Sequence, residues 1–227
     1  MGSHWRLSAV LLKRVLMGKS TLSPGITPSA SSLKPGCVLL FSGLTELERR
    51  IQETLDSFWT RCALVVRGPR GTPVLLQATS RPISKDLIDG QLRTGVQIVG
   101  IDDVLEHFNG YISMRALRPE LVQATDAALA AFATAKHGIP FNMSPFYALR
   151  AARRRNQAGD DKMYYCTELV AAALQHVAVL ATPPLGRSAS NYVPGDFAES
   201  SEDLCLTNDY VFVAQQVVKS PITSGPG

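Results

Sequence analysis

Apolar residues recur along this chain with two periods, near two and near four, and the switches between them mark out strands and helices. The run Cys-Val-Leu-Leu-Phe at 37–41 is entered through Lys34-Pro-Gly36 and closed by Ser42-Gly43, a pattern that predicts a buried strand. Residues 44–58 repeat Leu47, Ile51 and Leu55 at four-residue intervals, which predicts a helix. Two aliphatic runs at 62–66 and 74–78 flank Gly68-Pro-Arg-Gly71 and predict a hairpin. Further strands are predicted at 96–101 and 111–117, with a short helix over 102–108 between them.

Pro119 is placed to open a long alanine-rich helix that runs to about Lys136, where Gly138 and Pro140 stop it. Residues 144–155 and 166–179 predict two more helices, and 210–218 a last strand. Neither an internal repeat nor a coiled-coil heptad is visible. The sum predicts an α+β chain, a small and mostly antiparallel sheet packed with helices. It divides into a basic arm at 1–33, a folded domain at 34–218, and a Ser/Pro/Gly tail at 219–227 expected to be disordered.

Charge sharpens that division. The net charge is +4, yet no Asp or Glu precedes Glu46 while Arg6, Lys13, Arg14, Lys19 and Lys34 do. Without residues 1–34 the basic count falls from 23 to 18 against 19 acids, a net of −1. A near-neutral domain argues against a nucleic-acid-binding surface spread over the fold. The arm is amphipathic, basic, serine-rich and free of acids, which resembles a mitochondrial transit peptide and predicts a mitochondrial location, the alternative being the cytoplasm. Its apolar run, residues 9–12, is too short to span a bilayer.

Cys37, Cys62, Cys166 and Cys205 are scattered, with no C-x-x-C pair, so neither a disulfide framework nor a metal site is expected, and no cofactor is implied. Cys166 is the exception in its setting. It stands where the extended Met163-Tyr-Tyr165 turns into an apolar helix, and a helix N-terminus stabilises the thiolate. On that ground Cys166 is expected to alkylate fastest. Arg150, Arg153, Arg154 and Arg155 end a predicted helix, where cations are favourable anyway; they are the first place to look for a nucleic-acid contact, which is not the favoured reading.

Four short segments in order resemble the permuted papain-like amidases, the NlpC-related group of the YaeF/YiiX type. Leu33-Lys-Pro-Gly-Cys-Val-Leu-Leu-Phe41 is similar to the family's opening strand, with Cys37 where Asp is usual. Gly138-Ile-Pro-Phe-Asn142 echoes a "G-x-P-Y-D" loop, Tyr165-Cys-Thr-Glu-Leu-Val170 the nucleophile segment "Y-C-S-E-L-V", and Pro194-Gly-Asp196 a later "P-x-D". The resemblance implies that fold over roughly 33–218, with Cys166 in the nucleophile position.

The same resemblance implies a missing base. The family's strand "W-S-H-V-G-I-V-V" supplies the catalytic histidine, and here Trp59-Thr-Arg-Cys-Ala-Leu-Val-Val66 puts Arg61 in its place. The orienting residue of "L-E-A" becomes Gln77. Guanidinium stays protonated and accepts no proton, so Arg61 cannot shuttle one. His137, beside the Gly138 loop, is the substitute base to consider, although a histidine closing a helix C-terminus is a sufficient account of it. The expectation is a degenerate, catalytically inactive protein that acts as a binding or structural subunit with protein partners, in a mitochondrial assembly. The alternatives are an active cysteine hydrolase or acyltransferase on an amide, peptide or lipid ester, its base supplied by His137 or a partner, and a cleft that holds a lipid or peptide without turnover.

Overall fold

The computed structural model describes residues 32–144, 161–198 and 204–221. All but the first residue of the predicted helix at 144–155, with the four arginines Arg150, Arg153, Arg154 and Arg155, falls outside the described residues, as does nearly all of the basic arm. Leu33 is already part of the core, buried against the strand residues Leu39 and Val65.

The chain is α+β. In order it forms β1 (Val38–Gly43), α1 (Glu46–Leu55), β2 (Arg61–Arg67), β3 (Pro73–Thr79), β4 (Gly95–Val99), α2 (Ile101–His107), β5 (Gly110–Arg115), β6 (Leu117–Arg118), α3 (Gln123–Lys136), α4 (Cys166–His176), β7 (Val211–Phe212) and β8 (Gln216–Lys219). Six strands make one sheet in the order β4-β3-β2-β1-β5-β8, antiparallel throughout, and β6 pairs with β7 apart from it.

Because side chains alternate along a strand, both faces of this sheet are apolar and both are covered. On one face Val38, Leu40, Cys62, Leu64, Leu76, Ala78, Val96 and Ile98 pack under α3 and α4, through Leu129, Phe132, Leu169, Val170 and Ala173. On the other face Leu39, Phe41, Ala63, Val65, Leu75 and Val99 pack under α2 and Phe108. The helices therefore sandwich the sheet, and α4 packs against β2 and β3.

Several sequence expectations change, among them these. Pro119 does not open α3; the helix starts at Gln123, with extended Val122 at its N-cap. The helix at 44–58 contracts to Glu46–Leu55, because the Thr45 hydroxyl caps its start and Asp56 turns left-handed (φ 47°) at its end. The single strand predicted at 210–218 is two, since Arg115 intervenes. Its buried guanidinium donates to the carbonyls of Phe197, Ala198, Phe212 and Val213, which holds that segment away from the β5 edge until Gln216.

Candidate functional site around Cys166

The N-terminus of α4 is set by a relay of backbone hydrogen bonds that begins at β4. Val96 N–H donates to Ile139 O at 2.8 Å and Gly138 N–H to Val96 O at 2.9 Å, which ties the 138–142 loop to the sheet. Tyr164 N–H then donates to Pro140 O, and Asn142 N–H to Tyr164 O, both at 3.0 Å. Glu168 completes the cap by accepting from Tyr165 N–H at 3.3 Å. The Tyr165-Cys-Thr-Glu order thus closes the first turn in the manner of a capping box, using its acidic half.

Cys166 emerges from this turn almost fully buried, with 3% of its surface exposed. It lines a cavity of about 60 Å³ together with Leu47, Glu48, Ile51, Arg61, Phe141 and Tyr165. The Cys166 pKa is lowered, first by the Cys62 thiol on β2, with burial opposing, and then by the Cys62 backbone, the Arg61 charge and the Thr167 N–H. Burial and the Cys166 thiol push the Cys62 pKa well up.

Strand parity explains why Cys62 and not Arg61 faces α4. Cys62, Leu64 and Val66 face α4, so residue 61 belongs to the opposite face with Ala63 and Val65. Arg61 stands at the end of the sheet, its guanidinium 5.4 Å from the centroid of the Phe108 ring on that face. It lines the Cys166 cavity and a second, smaller one bounded by Phe41, Gln77, Val104 and Phe108. Gln77 lines only that second space and pairs across the sheet with Gln97, so it takes no part in the Cys166 cavity.

Arg61 is held by Glu48, a residue the sequence reading passed over. Glu48 Oε1 accepts from Arg61 Nη2 at 2.5 Å and from Nε at 3.1 Å, while its Oε2 is buried without a hydrogen-bond partner. Within Glu-Leu-Glu-Arg-Arg at the start of α1 it looks like one more solvated charge; only its burial distinguishes it. The α1 stripe is equally displaced from expectation. Leu47 is 42% exposed and, with Ile51, faces the cavity instead of the core.

His137 does not serve Cys166. Its Nε2 lies 3.0 Å from Asp86 Oδ2, and Asp86 also accepts from Ile88 and Ile98 N–H, so the pair pins the 86–98 segment against the end of α3. His107 contacts Asp103, and His176 packs on Phe132 in the last turn of α4. Asp196 of the Pro194-Gly-Asp196 turn is buried close enough to Cys62 to help raise its pKa, and it accepts from Val193 N–H and Arg187. Thiol access also changes one expectation: Cys205 is the exposed cysteine, and Cys37, Cys62 and Cys166 are buried, so alkylation by a bulky reagent follows access to Cys205 before thiolate character at Cys166.

Among the described residues no three His, Cys, Asp or Glu side chains converge to hold a metal ion, and no helix is long and apolar enough to cross a membrane. No family model matches the chain, and neither does any curated protein. One similar solved structure is the metalloprotein YiiX from Escherichia coli O157:H7. It is 16% identical, with a TM-score of 0.47, over 66% of this chain and 70% of that one. A likeness at that level fixes neither family nor chemistry.

Proposed function

We propose that this chain is a degenerate permuted papain-like protein that keeps a nucleophile-position cysteine, lacks a proton shuttle beside it, and acts as a binding or structural subunit, with residues 1–33 directing it to mitochondria. One observation carries the reading. The groups lining the Cys166 cavity include Glu48, Arg61, Tyr165 and hydroxyl side chains but no imidazole, and the three histidines among the described residues are engaged elsewhere. A thiol hydrolase needs a group that takes the thiol proton and returns it to the leaving group. Guanidinium does neither, and the Glu48 carboxylate is engaged by Arg61 through two hydrogen bonds.

The cavity favours occupancy without turnover. Leu47, Ile51, Phe141 and Tyr165 give it an apolar lip, and Arg61 with Glu48 gives it a polar floor, a combination that suits a peptide or acyl segment from a partner. A tagged full-length chain is therefore expected in the mitochondrial fraction, migrating on native gels above the mass of a monomer. Cys166→Ala should change neither property, and deletion of residues 1–30, which spares the buried Leu33, should abolish the location. A monomer in the cytosol, or loss of the complex on removing the thiol, would contradict this assignment.

A further inference from the structure

We propose, resting on the reading of the Cys166 cavity as occupied without turnover, that its occupant is a peptide segment and not an acyl chain, and that Glu48 recognises it by accepting an amide N–H. The starting point is an acceptor without a donor. Glu48 lines the cavity with Ile51, Arg61, Tyr165 and Cys166, its side chain is 6% exposed, and both hydrogen bonds from Arg61 end on Oε1. Oε2 is buried with no hydrogen-bond partner among the described residues.

A carboxylate oxygen enclosed in this way has lost its water and gained no protein donor, an arrangement that is rare in folded chains and unfavourable. Two hydroxyls on the same lining are committed elsewhere. Thr60 Oγ1 donates to Phe41 O at 3.1 Å, and Thr79 Oγ1 donates to Arg81 O at 3.2 Å while accepting from Arg81 N–H. The missing donor comes with the group that fills the space, and an acyl chain has none to give.

Charge selects the kind of donor. The charged side chains of the lining are Glu48, Arg61 and the exposed Arg81, one acid against two bases. An ammonium would enter against that balance and lose its hydration, and a carboxylate would meet the buried Glu48. A neutral N–H meets neither obstacle. The space, about 60 Å³ where roughly 10–15 Å³ admits one water, holds a group of a few heavy atoms, and Leu47, Ile51 and Phe141 offer apolar cover to the carbon flanks of a peptide unit.

The test compares N-methylacetamide with methyl acetate, which share one shape and differ in an N–H replaced by O, using amide correlation spectra of the full-length chain. The amide is expected to bind at least about tenfold more tightly, the factor a hydrogen bond to a charged group supplies, and to shift the resonances of Glu48, Arg61 and Cys166. In Glu48→Gln a side-chain N–H donor replaces one acceptor, and the preference should vanish; Gln77→Ala, in the other cavity, should keep it. The wild-type comparison decides even where the Glu48 variant unfolds. Equal affinities, no shift at these three residues, or a preference for methyl hexanoate that survives Glu48→Gln would overturn the assignment, the last in favour of an acyl occupant. Equal affinities in a chain that still migrates as a complex would strike Glu48 recognition alone. A monomeric chain that prefers the amide would strike the subunit assignment and uphold the role of Glu48.

Discussion

Gly95→Ala is expected to destabilise the chain by about 3–5 kcal/mol, the sum of a strained backbone and a forced displacement. Gly95 begins β4 with φ +102°, which L side chains rarely adopt, and a Cβ built there would lie 2.4 Å from Ile139 O. That oxygen is not free to retreat, because it accepts from Val96 N–H at 2.8 Å. Moving it pulls on Pro140 and Tyr164, and so on the turn that presents Cys166. The control is Gly71→Ala. Its φ is +75° with nothing within 4 Å of the added atom, so it should cost only the conformational part, about 1 kcal/mol. Urea unfolding of the two variants measures the difference; equal midpoints would show that the 138–142 loop is not tied to β4 as described.

Arg61→Ala is expected to cost about 2–3 kcal/mol. Removing one partner of a fully buried ion pair typically costs about 3–5 kcal/mol because the other charge is stranded. Glu48 is stranded here with 6% of its side chain exposed, but Arg61 is 30% exposed, so water already screens part of the pair and the lower figure applies. The variant also loses the cation stacked on Phe108. Glu48→Gln, which removes the charge and keeps the shape, should be milder, and the double variant Glu48→Gln with Arg61→Ala should recover part of the loss. Additive penalties in the denaturation midpoints would show that the two side chains do not act as a pair.

How far the sequence foretells this arrangement depends on what each element needs. The β2–β3 hairpin and the β1 strand are legible because their apolar runs are bounded by Gly and Pro and need no tertiary information. The turn into α4 is legible too, since Tyr165-Cys-Thr-Glu168 carries its own cap. The neighbour of Cys166 is not. Whether residue 61 or residue 62 faces α4 is a matter of strand parity, and a shift of one position exchanges the faces. Segment matching selects Arg61, which lines the cavity, while the pleat turns Cys62 toward α4.

Other features escape for related reasons. Glu48 is written among charges that are solvated, and only the fold buries it. The split of 210–218 into β7 and β8 follows from the carbonyls that Arg115 collects, a long-range effect with no local signal. The α1 stripe of Leu47 and Ile51 has the periodicity of a core-facing helix, yet it lines the lip of a cavity; periodicity reports an apolar face without saying what covers it.

The proposed function requires that no group beside Cys166 move a proton to and from its sulfur. Loss of such assistance costs roughly 10²–10⁴ in rate, enough to remove amide and ester cleavage from view. The direct measurement is hydrolysis of a panel of acyl amides and esters by the full-length chain and by Cys166→Ala under identical conditions, followed to long times with reductant present. The two are expected to be indistinguishable for every substrate. Turnover by the unmodified chain that disappears with the Cys166 thiol would contradict the proposed function.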